Sequence, residues 1–155
     1  MRPGRGFTLL EMLVVAAILF IFGAIALQSF SGSTAKARDT QRVSDLEQIR
    51  IAVRLYGEQN DSYPANFYLL GVGSSIDETL ESFIPTIPRD PRHGDDDDFR
   101  YVYNDTEVCN GNSYVVVYAR TMETDGFSNV DDLGCDGLAS SYPNARVLIV
   151  GETPS

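Results

Sequence analysis

Residues 12–27 run without a charge, a proline or a strongly polar side chain, and no other feature constrains the chain as tightly. The apolar character reaches back through Phe7-Thr8-Leu9-Leu10 and is broken only by Glu11. Taken as one helix, residues 7–30 measure roughly 36 Å at about 1.5 Å per residue, enough to cross a hydrocarbon core of about 30 Å. Arg2 and Arg5 precede the run, so the positive-inside rule keeps the N-terminus in the cytoplasm and sends the rest outward.

Three uses compete for such a segment: a removable secretory signal, with Ala24-Ile25-Ala26 as its cleavage site, a permanent single-pass anchor, and a helix used for assembly. Glu11 argues against the signal. An ionised carboxylate in an apolar run costs on the order of 2.5–3.5 kcal/mol on insertion, and a disposable segment has no use for it.

Charge divides the chain. The 12 Lys+Arg against 22 Asp+Glu leave a net −10, and residues 59–155 alone hold five basic and seventeen acidic side chains. That balance is wrong for coating a nucleic-acid backbone, so no direct nucleic-acid binding is expected. With 43% hydrophobic residues the chain is too apolar for disorder. Lys36, Arg38, Arg42, Arg50 and Arg54 alternate with Asp39, Asp45, Glu47 and Glu58, in the manner of a solvated helix face. Val43, Leu46, Ile49, Val53 and Tyr56 recur among them at helical spacing, predicting an amphipathic helix to about Tyr56, with Gly57 as its stop. Residues 77–84 suggest a short helix with Ser75 as its cap, ended by Pro85. Strands are expected at 99–103, 113–119 and 146–150, rich in Val, Tyr and Ile. The fold class expected is α+β, a long N-terminal helix against a small antiparallel sheet.

Gly6-Phe7-Thr8-Leu9-Leu10-Glu11, after the basic leader Met1-Arg2-Pro3-Gly4-Arg5, resembles the leader and cleavage site of type IV pilins and of the pseudopilins of type II secretion. The resemblance implies a pilin-like ladle whose helix is membrane-spanning in its first half. It implies that a membrane-embedded prepilin peptidase cuts between Gly6 and Phe7, and that the new amine of Phe7 is N-methylated. It also implies assembly into a helical filament of identical subunits, with pilus or secretion machinery as partner. The implied division is a cleaved leader at 1–6, a transmembrane and filament-core helix at 7–30, its amphipathic continuation at 31–58, a connecting αβ-loop region at 59–98, and a sheet with a disulfide-closed loop at 99–155. The subunit would be a single-pass protein of the cytoplasmic membrane, then part of a surface filament or periplasmic pseudopilus.

Physical chemistry gives Glu11 a role in that scheme. Cleavage leaves an ammonium on Phe7 inside the apolar segment, one turn from Glu11. Charges there are tolerated when paired. Glu11 of one copy meeting the Phe7 amine of its neighbour would set the stagger between helices. Many family members carry a proline partway along the helix; here Gln28 stands there, so any local melting is expected near Gly23 or residues 29–33.

Tyr63-Pro64 and Ile87-Pro88-Arg89-Asp90-Pro91 are similar to landmarks of major pseudopilins, but the tryptophan usual after the second is replaced by Arg92-His93-Gly94. Cys109 and Cys135 are the only cysteines, and outward topology places them in an oxidising space. A disulfide closing a loop of about 27 residues is expected, with free thiols as the alternative; the C-terminal loop that many type IV pilins close in this way agrees. Asp95-Asp96-Asp97-Asp98, and the loop residues Asp125, Asp131, Asp132 and Asp136, are oxygen-rich enough for Ca²⁺, against the simpler reading of a solvated acidic surface. His93 is the single histidine and sits in a turn, so no catalytic constellation or enzyme activity is expected. The function expected is a structural subunit of a type IV pilus-like filament. A type II secretion pseudopilin is the alternative, and an anchored or secreted binding module that never polymerises is the rival of another class.

Overall fold

A computed structural model describes residues 7–66 and 68–152, with the side chains of 25–31 outside the description. Helix α1 spans Leu9–Asn60 and runs unbroken through Gly23, Gln28 and Gly32. The chain divides into two compact units, Met1–Ala35 and Lys36–Ser155.

In the first unit the described apolar side chains of α1 are exposed on every side, from Leu9 at 82% to Val15 and Ile18 at 47%. Among the described residues no helix is long and apolar enough to cross a membrane. The span expected over 7–30 includes residues 25–30, whose side chains are not described.

The second unit holds the C-terminal part of α1, then β1 (Tyr68–Leu70), α2 (Ser75–Leu80), β2 (Tyr101–Cys109), β3 (Asn112–Ala119), α3 (Asp136–Ser141) and β4 (Arg146–Glu152). The strands form one antiparallel meander in the order β1-β2-β3-β4. Leu46, Ile49, Ala52 and Val53 of α1 pack on one sheet face with Tyr101, Tyr103, Val115 and Val117, as the helical spacing predicts. Val102, Val116, Tyr118 and Val147 point the other way. They are covered by Val130, Cys135, Leu138 and Ala145, so the sheet is buried on both faces. This explains why β3 reads Val115-Val116-Val117-Tyr118-Ala119 without polar alternation.

Several expectations are corrected. The helix does not stop at Gly57 but continues to Asn60, where Asp61 takes a left-handed backbone (φ 54°). Gly57 serves space instead. A Cβ there would lie 2.6 Å from Cε1 of Tyr63, and one on Gly151 would lie 2.5 Å from the Tyr63 hydroxyl, so the ring fits between α1 and β4 only because both positions lack side chains. The short helix begins earlier and ends sooner than expected, at Ser75–Leu80, with Ser74 rather than Ser75 as its cap position. Asp77 secures it by accepting N–H groups of Gly71 (3.0 Å), Gly73 (2.7 Å) and Ser74 (3.1 Å). The connecting region contributes a strand, β1, whose three residues pair with Tyr101, Val102 and Tyr103 of β2.

Candidate functional site

At the N-terminal end the helix begins two residues after Phe7. Thr8 is its cap: the Thr8 carbonyl accepts the Met12 N–H at 3.3 Å, and Thr8 Oγ1 accepts the Glu11 N–H at 3.3 Å. Glu11 thus stands in the first turn, where the helix dipole favours an anion. Phe7 is 74% exposed and Glu11 is exposed as well. Gly6, on the other side of the expected cleavage point, lies outside the described residues. The cap has a local signal in the sequence, since Thr8-x-x-Glu11 is the capping-box spacing.

The second unit contains a buried ionic cluster whose α1 members the charge pattern places on a solvated helix face. Asp39 and Arg42 are fully buried and Asp45 is 8% exposed, so they do not belong to a solvated face. Arg42 donates through Nε and Nη2 to Asp90 Oδ2 and Oδ1, at 2.7 and 2.9 Å. Its Nη1 donates to Asp39 Oδ1 at 2.6 Å and to Glu123 Oε1 at 2.7 Å. Arg38 donates to both Glu123 oxygens, at 2.8 and 2.5 Å. Asp39 completes its shell with backbone N–H groups of Glu123 and Thr124. Arg92 lies over the Phe99 ring at 4.1 Å, and Arg42 approaches the same ring at 5.2 Å. Every charge in the cluster is met, which is the condition under which a buried ion is tolerated.

The electrostatics follow from that geometry. Burial alone would lower the Arg42 pKa, but its hydrogen bonds to Asp90, Glu123 and Asp39 prevail and hold it above the ordinary value. The hydrogen bonds from Arg38, with those from Arg42, bring the Glu123 carboxyl down to about 2 against the opposing effect of burial. Next to the cluster, Tyr101 donates its hydroxyl to Asp45 Oδ2 at 2.8 Å. Burial raises the Asp45 carboxyl above its usual range, and that hydrogen bond partly offsets the shift. The signal for the cluster was positional. Asp39 and Arg42 extend the series Leu46, Ile49, Val53 at spacings of three and four, so they lie on the core face of α1.

Cys109 and Cys135 form a disulfide across 26 positions. It fastens the β2 end of the sheet to the segment that covers the second face, where both cysteines are buried. Asp125, Asp131, Asp132 and Asp136 are each exposed, and among the described residues no group of three or more His, Cys, Asp or Glu is placed to hold a metal ion. Asp95–98 are exposed too; Asp95 and Asp97 form ion pairs with Arg92 and Arg100. His93 is half-buried, with Nδ1 3.5 Å from Arg100 Nη1.

Residues 1–27 match the prokaryotic N-terminal methylation motif. The chain is 32% identical over 92 residues to a type II secretion system core protein G of Dickeya chrysanthemi, covering 59% of this chain and 55% of that one. It is 33% identical over 95 residues to the core protein G of Vibrio cholerae, covering 60% and 58%. A fimbrial protein of Neisseria meningitidis is 36% identical over 73 residues, covering 47% and 43%. The chain spans about half the length of these relatives. No solved structure matches it.

Proposed function

We infer that this chain, which carries the prepilin methylation motif and has type II secretion G proteins and a fimbrial protein among its relatives, is the structural subunit of a type IV pilus-like filament. It is made as a prepilin, cut after Gly6, methylated on Phe7 and polymerised through its N-terminal helix. The observation that carries this reading is a helix start whose described apolar side chains, Leu9 through Phe22, are exposed. A helix apolar all round needs lipid or other copies of itself around it. The motif at its head supplies both in sequence: a membrane stage, then a filament stage in which Glu11 faces the Phe7 amine of a neighbour. The cytoplasmic membrane, a prepilin peptidase and an assembly machinery are the partners this history requires.

A second reading, the major pseudopilin of a type II secretion system, draws on the core protein G relatives and on Asp90 of the Ile87–Pro91 motif, buried at the ionic cluster. Both readings share processing and polymerisation. Mass spectrometry of the N-terminus in the native host tests them together. Methylated Phe7 is the expected first residue. Leu27 there identifies a secreted protein and an intact Met1 a plain anchor, and either result overturns the filament.

A further inference from the structure

The sequence holds two Asn-x-Ser/Thr triplets without an intervening proline, Asn60-Asp61-Ser62 and Asn104-Asp105-Thr106, and the filament reading uses neither. Such a triplet accepts an N-linked sugar only where its asparagine amide is free to enter a transferase, so burial and hydrogen bonding separate the two. Asn104 lies within β2, opposite Val116 of β3, and is half-buried. Its Nδ2 donates to Glu107 Oε2 at 2.9 Å and its Oδ1 accepts the Thr106 N–H at 3.2 Å, while Asp105 accepts the Asn66 N–H at 2.9 Å. Reaching that amide means pulling a strand out from between β1 and β3.

Asn60 is placed differently. It is the last residue of α1, and helix ends open at little cost. Asp61 then turns the chain with φ 54°, and Asn60, Asp61 and Ser62 are all exposed. Asn60 Nδ2 donates to the Tyr56 carbonyl at 2.9 Å in an exposed position, a bond that water can replace. Ser62 Oγ donates to the Asn60 carbonyl at 3.3 Å, so the amide and the hydroxyl of the triplet belong to one turn. The chain just beyond is fixed, because the Tyr63 ring is wedged between Gly57 and Gly151. The turn therefore stands out from a stretch anchored on both sides.

We propose that Asn60 is an N-glycosylation site, modified by a membrane oligosaccharyltransferase whose donor is an oligosaccharide carried on a lipid diphosphate. The inference rests on the outward topology of the prepilin reading, which delivers residue 60 to the extracytoplasmic side. Asn60 Nδ2 forms a bond to the anomeric carbon of the first sugar, the bond from that carbon to the diphosphate oxygen breaks, the amide gives up one proton and the lipid diphosphate leaves. A glycan on this turn displaces no buried group, so the ionic cluster and both sheet faces stay as they are.

The test takes the full chain from envelopes of the native host, digests it, and reads the peptide containing Asn60 by fragmentation mass spectrometry together with the N-terminal peptide. A sugar mass on Asn60 is expected in the wild type, in Ser62→Thr and in Asn104→Gln, and complete loss in Asn60→Gln and in Ser62→Ala. Ser62→Thr keeps the hydroxyl that Ser62→Ala removes, so the pair distinguishes the triplet from the fold around it. An unmodified Asn60 in the wild type overturns the inference, as does a glycan on Asn104 alone. A sugar that survives in Asn60→Gln does the same, since it would sit on an oxygen such as the Ser62 hydroxyl. The N-terminal peptide keeps the two readings apart: methylated Phe7 with bare Asn60 removes glycosylation alone, whereas an intact Met1 with glycosylated Asn60 removes the filament and retains the outward topology.

Discussion

Arg42 and Asp90 meet as a two-pronged pair, Nε to Oδ2 at 2.7 Å and Nη2 to Oδ1 at 2.9 Å, with side chains 0% and 1% exposed. The pair joins α1 to the loop between α2 and β2, across 48 positions of sequence. The guanidinium also reaches Glu123, past β3, so a single side chain ties three segments together. Planar, bidentate geometry is what arginine supplies and lysine does not.

Breaking one side of this pair leaves an uncompensated buried charge. Asp90→Asn and Arg42→Met are each expected to destabilise the fold by about 3–5 kcal/mol. Arg42→Lys should fall short of rescue because it restores charge without the fork. Urea unfolding of the detergent-solubilised chain measures all three, and a lysine variant as stable as wild type would remove the argument from geometry.

Glu123 predicts the response to acid. Its folded carboxyl lies at about 2, well below the ordinary carboxylate value, so its contribution is fully present above about pH 4.5 and is lost as the pH falls toward 2. Glu123→Gln should lower stability at neutral pH and flatten the slope between about pH 4.5 and 2. Thermal unfolding across that range checks both; an unchanged slope would assign acid sensitivity to other carboxylates.

Asp45 works in the opposite sense. Its folded carboxyl is raised, with burial as the leading cause, so the folded state favours its protonated form. Tyr101→Phe removes the hydroxyl that supports the charged form and is expected to cost about 1–3 kcal/mol at neutral pH. The loss should shrink as the pH falls and Asp45 takes up a proton. A penalty equal at pH 4 and pH 7 contradicts this assignment.

The Cys109–Cys135 bridge joins β2 to the cover of the second sheet face. Replacing both cysteines by serine is expected to cost about 3–4 kcal/mol on the chain-entropy account. Hydrogen exchange should quicken in β4 and in residues 127–145 more than in the helix-facing core, since that cover is what the bridge retains. Uniform loosening of both faces would locate its effect elsewhere.

Glu11→Ala separates processing from assembly. Cleavage before Phe7 should persist, because the carboxylate lies beyond the scissile bond, while filament yield should collapse. Immunoblot for the leaderless chain and electron microscopy of surface fibres provide the two readouts. Normal filaments from this variant would deny Glu11 the part given to it.

Much was legible in the residues alone, because the rules that made it so are local. The uncharged run with Glu11 near its head and the 3.6-residue spacing of Leu46, Ile49 and Val53 each report on a few turns of one helix. The three longer strands were readable for the same reason, although β2 starts at Tyr101, two residues later than expected; β2 and β4 run beyond their expected ends, where pairing across the sheet continues. Thr8 is readable too, since a capping hydroxyl and the N–H it accepts lie within one turn.

Tertiary structure alone decided what encloses each side chain. Asp39, Arg42 and Asp90 are the same residue types as the exposed Asp95 and Arg54, and only the chain folded around them, from 48 to 85 positions away, removes their water and replaces it with opposite charge. The same holds for β1, three residues with no pattern of their own that become a strand because Tyr101–Tyr103 offer an edge. Gly57 reads as a helix stop in sequence and becomes clearance for the Tyr63 ring in the fold. Residue type and spacing set which local structures are cheap; desolvation, edge pairing and steric clearance depend on atoms brought close from elsewhere in the chain.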